Sequence, residues 1–451
     1  MLTVFDGVLA ADRIVPGDRN DDYTHDEALG ATPQVPAAVL LPESTAEVAD
    51  ILRICDEHRI PVTARGSGTG LSGAAIPVAE GVVVSFERMK GIEIDDDNQV
   101  AVVGPGVTLA ELDVVTAAHG LTYPVYPGEY SASIGGNVAT NAGGMRAVKY
   151  GVTRHQVLGL EAVLPGGEVI RTGGRFVKGS TGYDLTQLIV GSEGTLALVT
   201  EATLRLYPRA TCSATVLAPF RTLDAVMHAV PRIVASGIGP LILEYIDVLT
   251  MAGMTRKFDL ELGVPGSVQA ETLAYLVVMM EDQHEARLEE DVQALAEQMA
   301  QLGAIDVYVL PGAAGPRLIE AREKAFWLAK EAGADDIIDV VVPRAAIADF
   351  MGEVARIAEA TGTFVAGCGH AGDGNVHLSV FKPDPDERSA VLHQLFAAGL
   401  ALGGVISGEH GIGVTKRRYF LELEDPVKVA LLRRIKAAFD PHDILNPGTV
   451  L

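Results

Sequence analysis

The sequence is short of cysteine, of basic residues and of long apolar runs, and each shortage closes a class of function. Its 451 residues include only 3 cysteines, Cys55, Cys212 and Cys368, too few and too scattered for a disulfide framework or for Cys-x-x-Cys zinc and iron–sulfur sites. A reducing compartment is the simpler reading. Lys and Arg total 35 against 59 Asp and Glu, a formal charge of −24. That field repels phosphate backbones and anionic membranes, so no nucleic-acid partner is expected. The longest strongly apolar run, residues 273–280, falls far short of the ~20 residues of a membrane helix. The opening MLTVFDGVLAADR carries Asp6 and Asp12 where a secretory signal would be positive. No targeting peptide, no transmembrane segment and a cytoplasmic location are expected.

Glycine is what the chain has in quantity, with 49 residues that imply tight turns or close backbone approaches. The length leaves room for two or three domains at roughly 150 residues each. From Pro36 to about Pro208, short β-rich runs alternate with occasional helices. Ser44-Thr45-Ala46-Glu47 has capping-box spacing, and Val48, Ile51, Leu52 and Cys55 then recur at helical intervals. Thr108 to Glu111 opens a second helix that should stop at Gly120. Strands are expected at 82–86 and 100–103. From about Ala210 the pattern becomes strand, helix, strand, strand, helix, strand, with strands at 213–217, 241–246, 273–279 and 305–309 and helices near 222–235 and 284–301. That is the split βαβ, ferredoxin-like order. A last helix is expected near 426–439.

Three glycine-rich stretches stand out. Arg65-Gly66-Ser67-Gly68-Thr69-Gly70-Leu71-Ser72-Gly73 contains G-x-G-x-x-G, but a dinucleotide-binding unit needs a helix to begin inside the motif. Pro77 and the strand at 82 leave no room for one. What survives is an anion-binding loop of backbone N–H groups, with Arg65 adding charge. Ser133-Ile134-Gly135-Gly136-Asn137-Val138-Ala139-Thr140-Asn141-Ala142-Gly143-Gly144 lacks bulk over twelve residues, as if a large flat ligand lay on backbone. Gly191-Ser192-Glu193-Gly194-Thr195 gives a third such stretch.

Further on, Gly369-His370-Ala371-Gly372-Asp373-Gly374-Asn375-Val376-His377 places two imidazoles around a glycine-rich turn leading into a strand at 376–381, where they can converge on one ion. Ser407-Gly408-Glu409-His410-Gly411-Ile412-Gly413 adds a carboxylate and another imidazole. Two His and one carboxylate with an open position form the ligand set of a catalytic divalent ion. Hydrogen-bonded loop residues are the other reading of each. Asp373 reads as a turn residue and Cys368 as a small buried thiol.

With these motifs in this order, the chain resembles the FAD-linked D-2-hydroxyacid dehydrogenases, the family of D-lactate dehydrogenase, the glycolate oxidase flavin subunit and D-2-hydroxyglutarate dehydrogenase. The matching stretches are 64–73, 127–151, 191–206, 369–378, 407–416 and 439–448, and the resemblance covers nearly the whole length. It implies an α+β fold: a two-part FAD-binding domain of the vanillyl-alcohol oxidase type over 1–209, a ferredoxin-like cap with a metal site over 210–420, and a segment 421–451 that returns to the FAD domain. It also implies that 66–72, with Arg65, cradles the FAD pyrophosphate. Pro127, Gly128, Ser133, Gly135, Gly136, Asn137, Thr140, Asn141, Gly144, Glu193 and Gly194 would line the flavin and the rest of the cofactor, and Asn446 would return to it. By the same resemblance His370, His377 and Glu409 hold zinc or a similar divalent metal, His410 is the base, and Arg322, in Ala321-Arg322-Glu323, binds the substrate carboxylate.

Neither His nor Cys occurs in 64–73 or 127–144, so FAD is expected to be held non-covalently; His155 reads as a loop histidine. Relatives acting on D-2-hydroxyglutarate carry a lysine shortly before an Asp-x-x-x-Pro segment, whereas this chain reads Asp336-Ile337-Ile338-Asp339-Val340-Val341-Val342-Pro343. The expected substrate is therefore a small anionic 2-hydroxy monocarboxylate, D-lactate or glycolate, oxidised to the 2-oxo acid with hydride passing to flavin N5. A dicarboxylate such as D-2-hydroxyglutarate is the enzymatic alternative, and a flavin electron-transfer subunit of a complex is the alternative of another class. Electrons would leave to a separate acceptor, whether flavoprotein, iron–sulfur subunit, quinone or cytochrome. A homodimer is left open.

Overall fold

In the computed structural model, which describes residues 2–451, the Ser44 hydroxyl accepts the Glu47 amide and starts the helix Thr45–His58, whose Val48, Ile51, Leu52 and Cys55 are buried. The Glu47 carboxylate also takes the Glu43 amide at 2.7 Å and both Arg13 amino groups at 2.7 Å. At Thr108 the box is complete, with Glu111 N donating to the threonine hydroxyl at 3.2 Å and Thr108 N to the carboxylate at 2.8 Å. The helix Leu109–Ala118 ends as expected, with Gly120 at φ +68°.

Contacts divide the chain into two units, Met1–Ala142 with Val152–Arg209 and Glu409–Leu451, and Gly143–Gly151 with Ala210–Gly408. In the first, Ala38–Leu40, Val82–Ser85 and Val62–Arg65 form a parallel array edged by the antiparallel Ile14–Pro16. The inner strands Ala38–Leu40 and Val82–Ser85 are almost wholly apolar because both their faces are buried. The helix Thr45–His58 packs its apolar stripe into this core. Burial of each Val, Leu or Ile there contributes roughly 1.5–3 kcal/mol. A second, antiparallel sheet has the order Ile92–Asp95, Val100–Val103, Leu198–Arg205, Val157–Val163, Val169–Gly173.

The second unit is built on one antiparallel sheet of seven strands, in the order Tyr308–Val309, Cys212–Phe220, Ala274–Asp282, Ile242–Asp247, Phe364–His370, Asn375–Phe381, Asp336–Val341. Its first four strands have the fourth–first–third–second order of the ferredoxin-like unit, and the remaining three extend it. The strand expected at 305–309 shrinks to Tyr308–Val309, because the Asp306 carboxylate takes the Val307 amide while Ile305 N still reaches Pro219 O at 2.8 Å. Between the second and third strands lies a helix the periodicity did not signal, Val248–Phe258, capped by Asp247 accepting Thr250 N at 2.6 Å.

The division differs from the expected boundaries in two places. Residues 409–420 belong with the first unit, held there by bonds to Ser72 and Glu193. Gly143–Gly151 belongs with the second, where Lys149 and Tyr150 reach the Glu281 carboxylate at 3.0 and 2.8 Å.

Candidate functional site

The strand Val62–Arg65 delivers the chain into residues 66–73, which form no helix; Gly68 and Gly73 sit at φ +75° and +79°, conformations open to glycine at no steric cost. A cavity of about 310 Å³ is lined by Arg65, Gly66, Ser67, Gly68, Thr69 and Ser133 together with Tyr23 and His25. Sequence reading missed this N-terminal wall. It is tied to the loop by Glu27 N bonding Gly70 O at 2.8 Å and by the buried Asp26, whose carboxylate takes Ala28 N and Ala75 N. Burial raises the Asp26 carboxyl above its ordinary range, with these backbone donors opposing the shift. Arg65 is itself buried, donating to His25 O at 2.6 Å with Tyr23 5.7 Å away.

The stretch at 133–144, expected to offer bare backbone to a flat ligand, contains the short helix Ile134–Thr140, N-capped by Ser133 accepting Gly136 N at 3.2 Å and closed by Asn141 at φ +54°. Part of its lack of bulk has a packing cause, since a Cβ on Gly135 would lie 2.7 Å from Pro105 Cβ. A Cβ on Gly66 would overlap the Ser133 hydroxyl, so these two glycine-rich segments meet. Thr140 donates to Gly136 O, and Asn141 Oδ1 accepts Arg154 N at 2.9 Å. Asn137 is buried, and its Nδ2 has no hydrogen-bond partner among the described residues. Gly128 lies at φ +85° beside Pro127. Gly144 falls in the segment that clusters with the second unit, apart from the other residues of this group.

Asn446 and Glu193 bind the loops together. The Asn446 side chain accepts Ala64 N at 2.9 Å and donates to Glu193 O at 2.8 Å and Ala74 O at 3.1 Å. Glu193, at φ +52° and followed by Gly194, turns its buried carboxylate to Ile412 N and Gly413 N, both at 2.8 Å. From the other side, the Ser72 hydroxyl donates to His410 O and Gly411 O at 2.9 Å, and Ser72 O accepts Val414 N at 2.9 Å. The loop carrying His410 is thus gripped by two of the three glycine-rich segments. His155 takes the Val152 amide on Nδ1 at 3.0 Å.

In the second unit the two histidines lie on neighbouring strands of a hairpin. His370 is paired with Asn375, and His377 with Cys368. Their side chains share one sheet face, as the two-residue strand period requires, with ring centroids 4.8 Å apart. A group missed by sequence reading completes this face. Glu244, fully buried on Ile242–Asp247, receives His370 Nδ1 at 2.6 Å and lies 2.7 Å from the Arg322 Nη2. Its signal was a lone carboxylate inside an apolar strand, which must find partners. Burial alone would raise the Glu244 carboxyl, but the facing His370 ring and the Arg322 guanidinium outweigh it and hold the carboxyl below its ordinary range. Arg322, on Ala314–Glu323, is also buried.

Asp339 sits opposite His377 and accepts the Ser407 hydroxyl and Gly408 N. Glu409 is peptide-bonded to that anchored glycine, and one ligand atom from each of His370, His377 and Glu409 lies within 4.8 Å of the others. Burial pushes the Cys368 thiol up to about 11, which keeps it protonated and disfavours it as a ligand.

Two family descriptions match the chain, "FAD binding domain" over residues 36–173 and "FAD linked oxidases, C-terminal domain" over 209–450. An uncharacterized FAD-linked oxidoreductase of Mycobacterium tuberculosis is 56% identical, covering 100% of this chain and 98% of its own. The D-lactate dehydrogenase of Archaeoglobus fulgidus is 42% identical over 92% of this chain and 91% of its own. Among solved structures, p-cresol methylhydroxylase superposes with a TM-score of 0.82 at 19% identity, covering 100% of this chain and 96% of that one; this shows the vanillyl-alcohol oxidase type of fold. The chain belongs to the FAD-linked oxidases, as an FAD-linked oxidoreductase of the group of D-lactate, glycolate and D-2-hydroxyglutarate dehydrogenases.

The residues present fit FAD: a polar cavity beside the 66–69 backbone, and a buried amide, Asn137 Nδ2, that still requires an acceptor. They also fit a divalent metal, since His370, His377 and Glu409 each bring a ligand atom within 4.8 Å of the others and Glu244 accepts from His370 Nδ1 as the outer partner of a ligating histidine does. Among the described residues, no helix is long and apolar enough to cross a membrane.

Proposed function

We propose that this protein oxidises a D-2-hydroxy monocarboxylate, D-lactate or glycolate, to the 2-oxo acid. The first unit would carry FAD, with the 421–451 segment returning to it, and the second would serve as the cap that carries the histidine ligands His370 and His377. The observation that carries the reading is the converging donor set His370, His377 and Glu409, braced by Glu244 and Asp339. Arg322 would bind the substrate carboxylate through a planar fork that matches its geometry. His410, on a loop held by Ser72 and Glu193, would accept the hydroxyl proton, because imidazole exchanges protons near neutral pH. FAD when bound supplies the acceptor for the Cα hydrogen as hydride. A divalent ion when bound supplies Lewis acidity, of the kind that lowers the pKa of water from 15.7 to about 7. Electrons would then pass to a separate acceptor.

The monocarboxylate preference rests on Ile337. In the strand Asp336–Val341, Ile338 is buried on the opposite face. Ile337 shares the face of Asp339 and His377, two residues along, and offers no cation there to a second carboxylate. Turnover with D-lactate or glycolate should therefore exceed that with D-2-hydroxyglutarate in a panel of D- and L-hydroxy acids assayed with an artificial electron acceptor. A marked preference for the dicarboxylate would reject this substrate class. The cofactor reading has its own check: the purified protein should be yellow, and acid precipitation should leave FAD in the supernatant. Flavin that stayed with the pellet would show a covalent bond.

A further inference from the structure

We propose that Glu244 is a positioning residue that serves the metal and the substrate carboxylate with one side chain, orienting His370 through Nδ1 and the Arg322 guanidinium through its other oxygen. The inference rests on the metal reading above and adds a residue to it.

The geometry is specific. Register sets Tyr245 opposite Gly369 on the adjacent strand, which places Glu244 beside His370. The carboxylate is fully buried and divides its oxygens, Oε1 to His370 at 2.6 Å and Oε2 to Arg322 at 2.7 Å. A buried ion pair is a poor device for stability alone, because desolvation offsets most of the attraction and apolar residues of similar volume do as well. What this pair provides is direction. Accepting the Nδ1–H fixes the His370 tautomer and raises the basicity of Nε2. The same negative charge neutralises Arg322, which would otherwise place a cation next to the group that must attract one. Arg322, faced at Nη2 by the Oε2 charge, keeps its fork in place without depending on substrate.

The experiment measures zinc dissociation constants of FAD-loaded protein by chelator competition, for wild type, Glu244→Gln, the double variant Glu244→Leu/Arg322→Met and His370→Ala. Glu244→Gln keeps the volume and removes the negative charge that faces Arg322 Nη2. The double variant removes both charges, so it keeps the test valid if the single one fails to fold. Loss of an outer partner of a metal-binding histidine typically costs about 10–100-fold in affinity, and that weakening is expected in both variants. At saturating zinc, Glu244→Gln should recover kcat to within about threefold but keep a KM for the hydroxy acid raised about tenfold, on the ~1.4 kcal/mol scale of a factor of ten. A purely structural role would not produce that split. Wild-type zinc affinity in the double variant, with affinity lost in His370→Ala, would overturn the orienting role and leave the metal reading intact. Unchanged affinity in His370→Ala would overturn the metal reading itself, and with it this inference.

Discussion

Alanine at His410 is expected to slow reduction of the flavin by a 2-hydroxy acid about 10²–10⁴-fold, the usual cost of losing a general base, while FAD and metal contents stay near wild type. The expectation follows from how the loop is held. Its hydrogen bonds to Ser72 and Glu193 are made by backbone atoms of residues 410–414, so truncating the imidazole leaves the loop's supports in place. Anaerobic stopped-flow bleaching of the flavin, with metal analysis on the same sample, is the measurement. Metal loss in this variant would move His410 into the ligand shell and leave the base unidentified.

Replacing His370, His377 or Glu409 by alanine should act differently, lowering metal content and turnover together while FAD is retained. Turnover should fall by at least about 10²-fold, because the Lewis-acid contribution to lowering a hydroxyl pKa is lost outright. FAD retention is expected because the cavity by the 66–69 loop, the Asn137 amide and the Asn446 staple involve none of these three side chains. An active wild type from which all metal had been stripped would remove the Lewis-acid step altogether.

Much of the fold was legible because its signals are local. The capping box at Thr108, the apolar stripe at Val48, Ile51, Leu52 and Cys55, and the glycine-punctuated histidine hairpin each lie within about a dozen residues. What escaped depends on distance along the chain. Glu244 finds its role through His370, 126 residues away, and Asp339 through Ser407 and Gly408, 68 and 69 residues away; an apolar strand around each carboxylate says that it must be paired but not with what. The 133–144 stretch misled for a different reason. Two glycines in a first helical turn argue against helix by propensity, yet Ser133 caps the turn and Gly135 needs its missing Cβ to pass Pro105. The helix Val248–Phe258 was missed because its signal is a single cap, Asp247, without a carboxylate three residues further on.

The interrupted path of the first unit has a consequence for biosynthesis. Strand Val62–Arg65 pairs through Val62 with Leu445, and the loops after it are stapled by Asn446. These partners emerge from the ribosome only after Ala210–Gly408 has been made. At ~5–20 residues per second, the roughly 200 residues between the two halves take about 10–40 s to synthesise. For that interval the nascent cofactor-binding half must persist with an unclosed strand edge and incomplete glycine loops, while the intervening unit is free to collapse first. The order of assembly is then inverted with respect to the order of the sequence: the later-made sheet matures early, and the segment that starts the chain is the last to be finished.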